Sequence, residues 1–432
     1  MITVVLDDDP TGTQAMHDVA VVLDWSHPEV WDAVQASDRA VHVLTNSRAH
    51  DPAGAGSLVS SAAAAARAQF PGARLVLRGD STLRAHVWEE YEALRAVTFP
   101  GREAVPLLLV PALPAAGRVT VAGVHLLERD GERVRLDRTE YARDGELAYS
   151  DSELARWADE RSGGRLAAAA AVSLPLARVR AADGVGEIAA AIATAARAGR
   201  PAVVVPDAET DADLATIARG LRTAEAAGTP VIARCAPAFA AVLTDSAART
   251  LTPAPDGEGG VLVVCGSFVP ATTAQLERLA ARCPGAIVDA HVRALAGDGS
   301  DAEVERIAEA ARERIASGGL AVLATERERD PALVEPASQR RIASALAQVA
   351  QRVRAGVVVA KGGITSAVTA REGLGARAAR VVGPIASGVV LWRLPDGTDY
   401  VVFPGNVGGA DLLADVVAAI APRAPSTGAG RC

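Results

Sequence analysis

Residues 4–14 read VVLDDDPTGTQ: an apolar run breaks into three aspartates, a proline, a glycine and two threonines. Carboxylates in such a place can take a proton from an alcohol or accept hydrogen bonds from sugar hydroxyls. Two further stretches share the design, TNSRA (Thr45–Ala49) after VHVL and RGDSTLRAH (Arg78–His86) after LVL. They collect Asp8, Asp9, Thr11, Ser47, Arg48, Asp80, Ser81 and Arg84 just past apolar runs. Arginines clamp a carboxylate through two parallel hydrogen bonds. A small, polyhydroxylated anion is the ligand this mixture suits. A fourth stretch, VPALPAAGRVTVAGVH (Val110–His125), adds Arg118 behind a Pro/Gly turn. Singly, each reads better as a helix-capping turn than as a binding site; together they point to a ligand.

The second half carries other chemistry. CGSFVPATTAQ (Cys265–Gln275) contains Ser267, VVVAKGGITS (Val357–Ser366) contains Lys361, Gly362, Gly363, Thr365 and Ser366, and PGNVGGADLL (Pro404–Leu413) contains Gly405, Asn406, Gly408 and Gly409. Each glycine turn follows an apolar run and leads into a helical pattern, so backbone N–H groups can meet a phosphate, with Thr365 and Ser366 available as helix caps. None is a Walker A loop, since GxxxxGK[ST] is absent. Lys361 is the only lysine in the chain. It reads equally as a phosphate contact and as a strand-end residue.

The elements that must position these residues are short β-branched runs alternating with alanine-rich helical stretches. The runs are Val4–Leu6, Val19–Leu23, Val41–Leu44, Leu75–Leu77, Leu107–Val110, Ala202–Val205, Val231–Ala233, Val261–Val264, Leu320–Leu323 and Val357–Ala360. Near-continuous apolar strands alternating with helices predict an α/β fold with largely parallel sheets covered on both faces. Ligands then sit beyond the carboxyl ends of the strands. With 432 residues two domains are expected. The Pro/Gly-rich stretch Thr252–Gly260 divides an N-terminal domain, residues 1–250, from a C-terminal domain, residues 258–420. Residues 421–432 read as a disordered tail.

Lys and Arg total 44 against 52 Asp and Glu. That balance argues against nucleic-acid and anionic-membrane partners. The start lacks a basic, apolar leader and no apolar run reaches membrane-spanning length, so a cytoplasmic protein is expected. The four cysteines show neither CxxC nor a metal spacing.

Asp7-x-Asp9-x-Thr11 also fits the DxDxT pattern of aspartate-nucleophile phosphatases of the haloacid dehalogenase class, in which one aspartate attacks phosphorus. A non-catalytic regulator binding a nucleotide or sugar acid is a third reading.

The motifs resemble those of the four-carbon acid sugar kinases. Asp8-Asp9-Pro10-Thr11-Gly12 matches DDxTG, Ser47-Arg48 a serine–arginine pair, and Asp80–Arg84 the DSTLR motif. Ala116–His125 resembles AGR-T-x-x-G-x-H, while Gly266-Ser267, Gly362–Ser366 and Gly405–Gly409 resemble the GS, GGxTS and GNxGG motifs. The matches run in order along most of the chain. Asp7, Arg78 and Ala85 depart from the usual alanine, lysine and glycine.

The resemblance implies an N-terminal acid-sugar domain, a C-terminal ATP domain and a reaction in the cleft between them. ATP and Mg2+ would be the cofactors and threonate, erythronate or a 3-oxo-tetronate the acceptor. Asp8 and Asp9 would be catalytic, one of them the base. Thr11, Gly12, Ser47, Arg48, Asp80, Ser81, Arg84 and Arg118 would bind the acid. Ser267, Lys361, Gly362, Gly363, Thr365, Ser366, Gly405, Asn406, Gly408 and Gly409 would bind the nucleotide. Metal-holding residues and a homodimer are both left open.

Overall fold

The computed structural model describes residues 2–35, 40–129, 131–248, 250–297, 299–326 and 336–420; the expected tail lies outside these described residues. The chain forms two compact units, Met1–Gly12 with Trp25–Ala247 and Thr13–Asp24 with Ala248–Cys432.

Strands are numbered in chain order. In the first unit they are β1 (Thr3–Asp7), β3 (Ala40–Leu44), β4 (Arg74–Arg78), β5 (Leu107–Val110), β9 (Val172–Leu174), β10 (Val203–Pro206) and β11 (Ile232–Cys235). They form one wholly parallel run in the order β3-β1-β4-β11-β5-β10-β9. The TVVLD and VVVP strands are buried at every residue because helices cover both faces. Register aligns Asp7 with Leu44 and Arg78, Arg78 with Cys235, and Cys235 with Val110. The polar stretches recognised in the sequence therefore leave the sheet at one level and on one edge. A small antiparallel sheet of β6 (Arg118–Val121), β7 (Val124–Arg129) and β8 (Glu132–Arg135) stands apart from this run.

The helix Pro52–Gln69 shows how local sequence serves this architecture. Asp51 accepts from Gly54 N at 2.7 Å and Pro52 occupies the first turn. Such a cap contributes about 1 kcal/mol. Ala55, Val59, Ala62, Ala63 and Ala66 recur at helical spacing on its buried face, where alanine permits close approach.

In the second unit the strands are β2 (Val19–Val22), β12 (Val261–Cys265), β13 (Ile287–Ala290), β14 (Leu320–Thr325), β15 (Val357–Lys361), β16 (Ala378–Ala386), β17 (Val389–Arg393) and β18 (Asp399–Phe403). Their order is β13-β14-β12-β15-β18-β17-β16-β2. The first five are mutually parallel; β17, β16 and β2 continue the row with antiparallel pairing. The sequence reading did not separate out this antiparallel extension. Its signals are local: Gly388 at φ +74° turns β16 into β17, and Pro395-Asp396-Gly397, with Gly397 at φ +90°, turns β17 into β18. Only the pairing of Val19 with Val381 and Val22 with Ala378 reveals that β2 belongs to this unit. Among the described residues no helix is long and apolar enough to cross a membrane.

Candidate functional site

The end of β1 holds a dense charge network. Arg48 clamps Asp8 through two bonds, Nη2 to Oδ1 at 2.6 Å and Nε to Oδ2 at 3.1 Å. Arg78 Nη1 donates to Asp7 Oδ1 at 2.8 Å, to Asp8 Oδ1 at 3.1 Å and to the Asp9 carbonyl at 3.0 Å. His42 Nδ1 lies 3.1 Å from Asp7 Oδ2. Burial alone would raise the Asp7 carboxyl, but Arg78 and His42 outweigh it and hold it below the usual range. For Asp8 burial prevails over Arg48 and Arg78 and pushes the carboxyl up to about 6.

Asp9 differs from both. Its side chain keeps 14% exposure where those of Asp7 and Asp8 keep 2%. Thr11 N donates to Asp9 Oδ1 at 2.8 Å and the Thr11 hydroxyl bonds the same oxygen, while Arg48 Nη1 stands 3.6 Å from Oδ2. Gly12 is glycine for a steric reason: a Cβ there would fall 2.0 Å from Asp7 Oδ2. With both oxygens of Asp7 engaged and its side chain buried, that residue is withdrawn from attack on phosphorus, as the phosphatase reading would require.

The stretch after β4 makes a second cluster. Asp80 Oδ2 accepts from Arg84 Nε at 2.7 Å and from Thr82. Burial would raise the Asp80 carboxyl; Arg84, Arg48 and Arg118 together hold it far below the usual carboxylate range. Leu83, buried at φ +67°, carries the left-handed bend between them, a conformation rare for leucine that the packing must enforce. Arg118, at the start of β6, donates to Ser81 Oγ at 2.7 Å, while its Nε is buried without a protein partner. The guanidinium carbons of Arg84 and Arg118 lie 5.7 and 5.6 Å from the centre of the Tyr141 ring. Asp144 also accepts from Arg84 Nη1 at 2.8 Å.

Buried groups beneath these clusters hold them in place. Ser47 has no exposure; its hydroxyl donates to Glu90 Oε1 at 2.5 Å, and Glu90 is ion-paired with buried Arg234. His125 Nε2 lies 2.9 Å from the Ser81 carbonyl and its Nδ1 lies 3.0 Å from Thr120 Oγ1. Burial lowers this imidazole to about 4, so it stays neutral at physiological pH.

Asp8, Asp9, Thr11 and Arg48 thus form one connected group, and Asp80, Ser81, Arg84 and Arg118 another. The sequence reading met Arg78 only as a departure from the family motif at the acid-sugar pocket and did not place His42, Glu90, Arg234, Tyr141 or Asp144 in the site. Glu90 left a trace, a charge on the buried helix face of Val87, Tyr91 and Leu94. Tyr141 and Asp144 left none, because they arrive from an excursion far along the chain.

In the second unit the three glycine turns leave adjacent parallel strands, with Cys265 in register with Lys361 and Lys361 with Phe403. Contact between them is close. A Cβ on Gly405 would lie 2.7 Å from Ser267 Oγ, and one on Gly266 would lie 2.6 Å from Thr365 Oγ1. Gly362, at φ +115°, donates to the Phe403 carbonyl at 2.8 Å. Thr272 Oγ1 donates to the Gly405 carbonyl at 3.0 Å. Asn406, Gly408 and Gly409 are exposed, Gly363 is half-buried, and Ile364 stands out with 40% exposure.

One expectation changes here. Neither Thr365 nor Ser366 caps the helix Gly363–Val368; Ser366 Oγ instead donates to the Ala360 carbonyl at 2.9 Å, since both residues lie inside the first turn. Lys361 is fully buried, its ammonium 3.0 Å from the Pro404 carbonyl.

Residues 3–243 match the model of a sugar-binding N-terminal domain and residues 262–413 that of a nucleotide-binding C-terminal domain. Among solved structures the chain is similar to a Salmonella typhimurium LT2 protein carrying the provisional name of a tRNA synthase (18% identity, TM-score 0.69). That match covers 96% of this chain and 98% of the other. It is also similar to a Haemophilus influenzae protein from a domain-of-unknown-function family, at 18% identity and TM-score 0.63, with the same coverage of 96% and 98%. At these identities the likeness speaks for the fold. No curated protein matches the chain.

Proposed function

The chain belongs to the four-carbon acid sugar kinase family, and from that premise we propose that it transfers the γ-phosphoryl group of ATP to a hydroxyl of a small sugar acid such as threonate, erythronate or a 3-oxo-tetronate. The observation that carries this reading is the difference between the consecutive aspartates. Asp8 is buried and clamped by Arg48, whereas Asp9 keeps access and is oriented by Thr11. Asp9 is accordingly the general base. It takes the proton of the attacking hydroxyl as the new O–P bond forms and ADP leaves.

Arg84 and Arg118 bind the carboxylate of the acid, spaced by Tyr141, and Asp80 fixes Arg84. Ser47 acts beneath them as a positioning residue. Ser267, Gly362, Gly363, Thr365 and the Gly405–Gly409 turn take the nucleotide. Among the described residues no three His, Cys, Asp or Glu side chains are grouped to hold a metal ion. Mg2+ would enter with ATP and would supply charge that offsets the phosphate oxygens.

The test is ADP formation from ATP·Mg2+ across a panel of tetronates and 3-oxo-tetronates. ADP release that depends on one of these acids supports the kinase. Nucleotide binding without acid-dependent turnover on the whole panel would leave a binding regulator. Hydrolysis of a generic phosphomonoester without ATP would favour the phosphatase.

A further inference from the structure

We infer that Lys361 is a built-in monovalent cation that holds the Pro404–Gly409 turn in its anion-binding shape, a positioning residue and not a phosphate ligand. The inference rests on the reading of the second unit as the nucleotide site. Lys361 ends β15, between β12 and β18, and is fully buried. Its Nζ lies 3.0 Å from the Pro404 carbonyl, 3.5 Å from the Gly405 carbonyl and 3.9 Å from the centre of the Phe403 ring. Burial pushes its ammonium down to about 8 against nearby Cys265, which raises it, so at neutral pH the group still carries its proton. Main-chain carbonyls and an aromatic face are the surroundings a bare monovalent cation takes.

The consequence follows from peptide geometry. In a planar trans peptide the carbonyl and the next residue's N–H point in opposite directions. Lys361 draws the Pro404 carbonyl inward and shares that of Gly405 with Thr272 Oγ1, while Gln275 Nε2 draws in those of Val407 at 2.9 Å and Gly408 at 3.3 Å. The N–H groups of Gly405, Asn406, Gly408 and Gly409 are thereby turned away from the interior, forming a run of donors suited to a phosphate. Every other Lys-or-Arg position in the chain is arginine. A guanidinium spreads its donors over a planar fork, whereas an ammonium is a compact point charge of the kind these carbonyls meet at 3.0 and 3.5 Å.

The test is ADP·Mg2+ binding by calorimetry to full-length wild type, Lys361→Met and Lys361→Ala. Both variants should bind about tenfold or more weakly, the loss expected for hydrogen bonds to a charged group. Lys361→Ala should regain affinity in methylammonium chloride but not in sodium chloride of equal ionic strength. Unchanged binding by Lys361→Met, or recovery no better with the amine than with sodium, overturns the inference. A wild type that binds no adenine nucleotide overturns both the inference and the kinase reading. Should the variants fail to fold, wild type labelled with 15N-lysine still decides. A single ammonium resonance protected from solvent exchange near neutral pH is expected, and its absence refutes the anchored cation.

Discussion

Arg78 Nη1 stands 2.8 Å from Asp7 Oδ1 and 3.1 Å from Asp8 Oδ1, so one buried guanidinium joins two consecutive carboxylates at the end of β1. Removing it leaves Asp7 with His42 and Asp8 with Arg48, each buried carboxylate short of one cation. Arg78→Met should destabilise the protein by about 3–5 kcal/mol, the range for breaking a buried pair. Denaturant midpoints would show this; a shift under about 1 kcal/mol would mean the network is not what holds the β1 end together.

Asp9→Asn keeps the shape of the side chain and removes its basicity. Turnover should fall about 100- to 10,000-fold, the usual contribution of a general base. Nucleotide affinity should stay within about twofold of wild type. Single-turnover kinetics with calorimetry measures both, and an Asp9→Asn enzyme with wild-type kcat would remove this residue from the mechanism.

Arg84→Ala should raise KM for the sugar acid about ten- to a hundredfold, as expected for a lost charged hydrogen bond. Tyr141→Leu should raise it less and Tyr141→Phe hardly at all, because the aromatic face, not the hydroxyl, spaces Arg84 and Arg118. Equal KM values for the Leu and Phe variants would contradict that role.

The pH profile should follow Asp8. Its carboxyl is pushed up to about 6, so acidification through that value neutralises it and frees Arg48. At saturating nucleotide, kcat/KM for the acid should therefore rise with pH through about 6 and then level. The stability contribution of Asp8 runs the other way. With its folded value above the ordinary 3.8, that contribution is fully present below 3.8 and lost as pH rises through about 6. A kcat/KM profile flat between about pH 5 and 7 would show that Asp8 ionisation is not needed.

Gly405→Ala should weaken nucleotide binding by pushing aside the Ser267 hydroxyl, 2.7 Å from the new Cβ. In a double-mutant cycle, Ser267→Ala should make the added methyl nearly neutral. Additive losses in calorimetry would instead place the damage in the turn backbone.

Sequence alone determined the α/β class and the short stretches that carry chemistry. Buried parallel strands must be continuously apolar and their ends must turn polar, so Leu107–Val110 could be read with its observed ends and Asp8, Arg48 and Arg84 found just beyond strands. It also disclosed which turns need glycine. What it withheld depends on partners distant in the chain. Asp7, Asp8 and Asp9 are chemically identical in sequence; only burial against Arg78, His42 and Arg48 separates the anchored pair from the accessible one. Tyr141 reaches Arg84, and Lys361 reaches Pro404, only after folding closes those loops. Likewise β2 reads as one more apolar strand until its pairing with β16 assigns it to the second unit. Local pattern encodes what a residue can do, while desolvation and long-range pairing decide what it does.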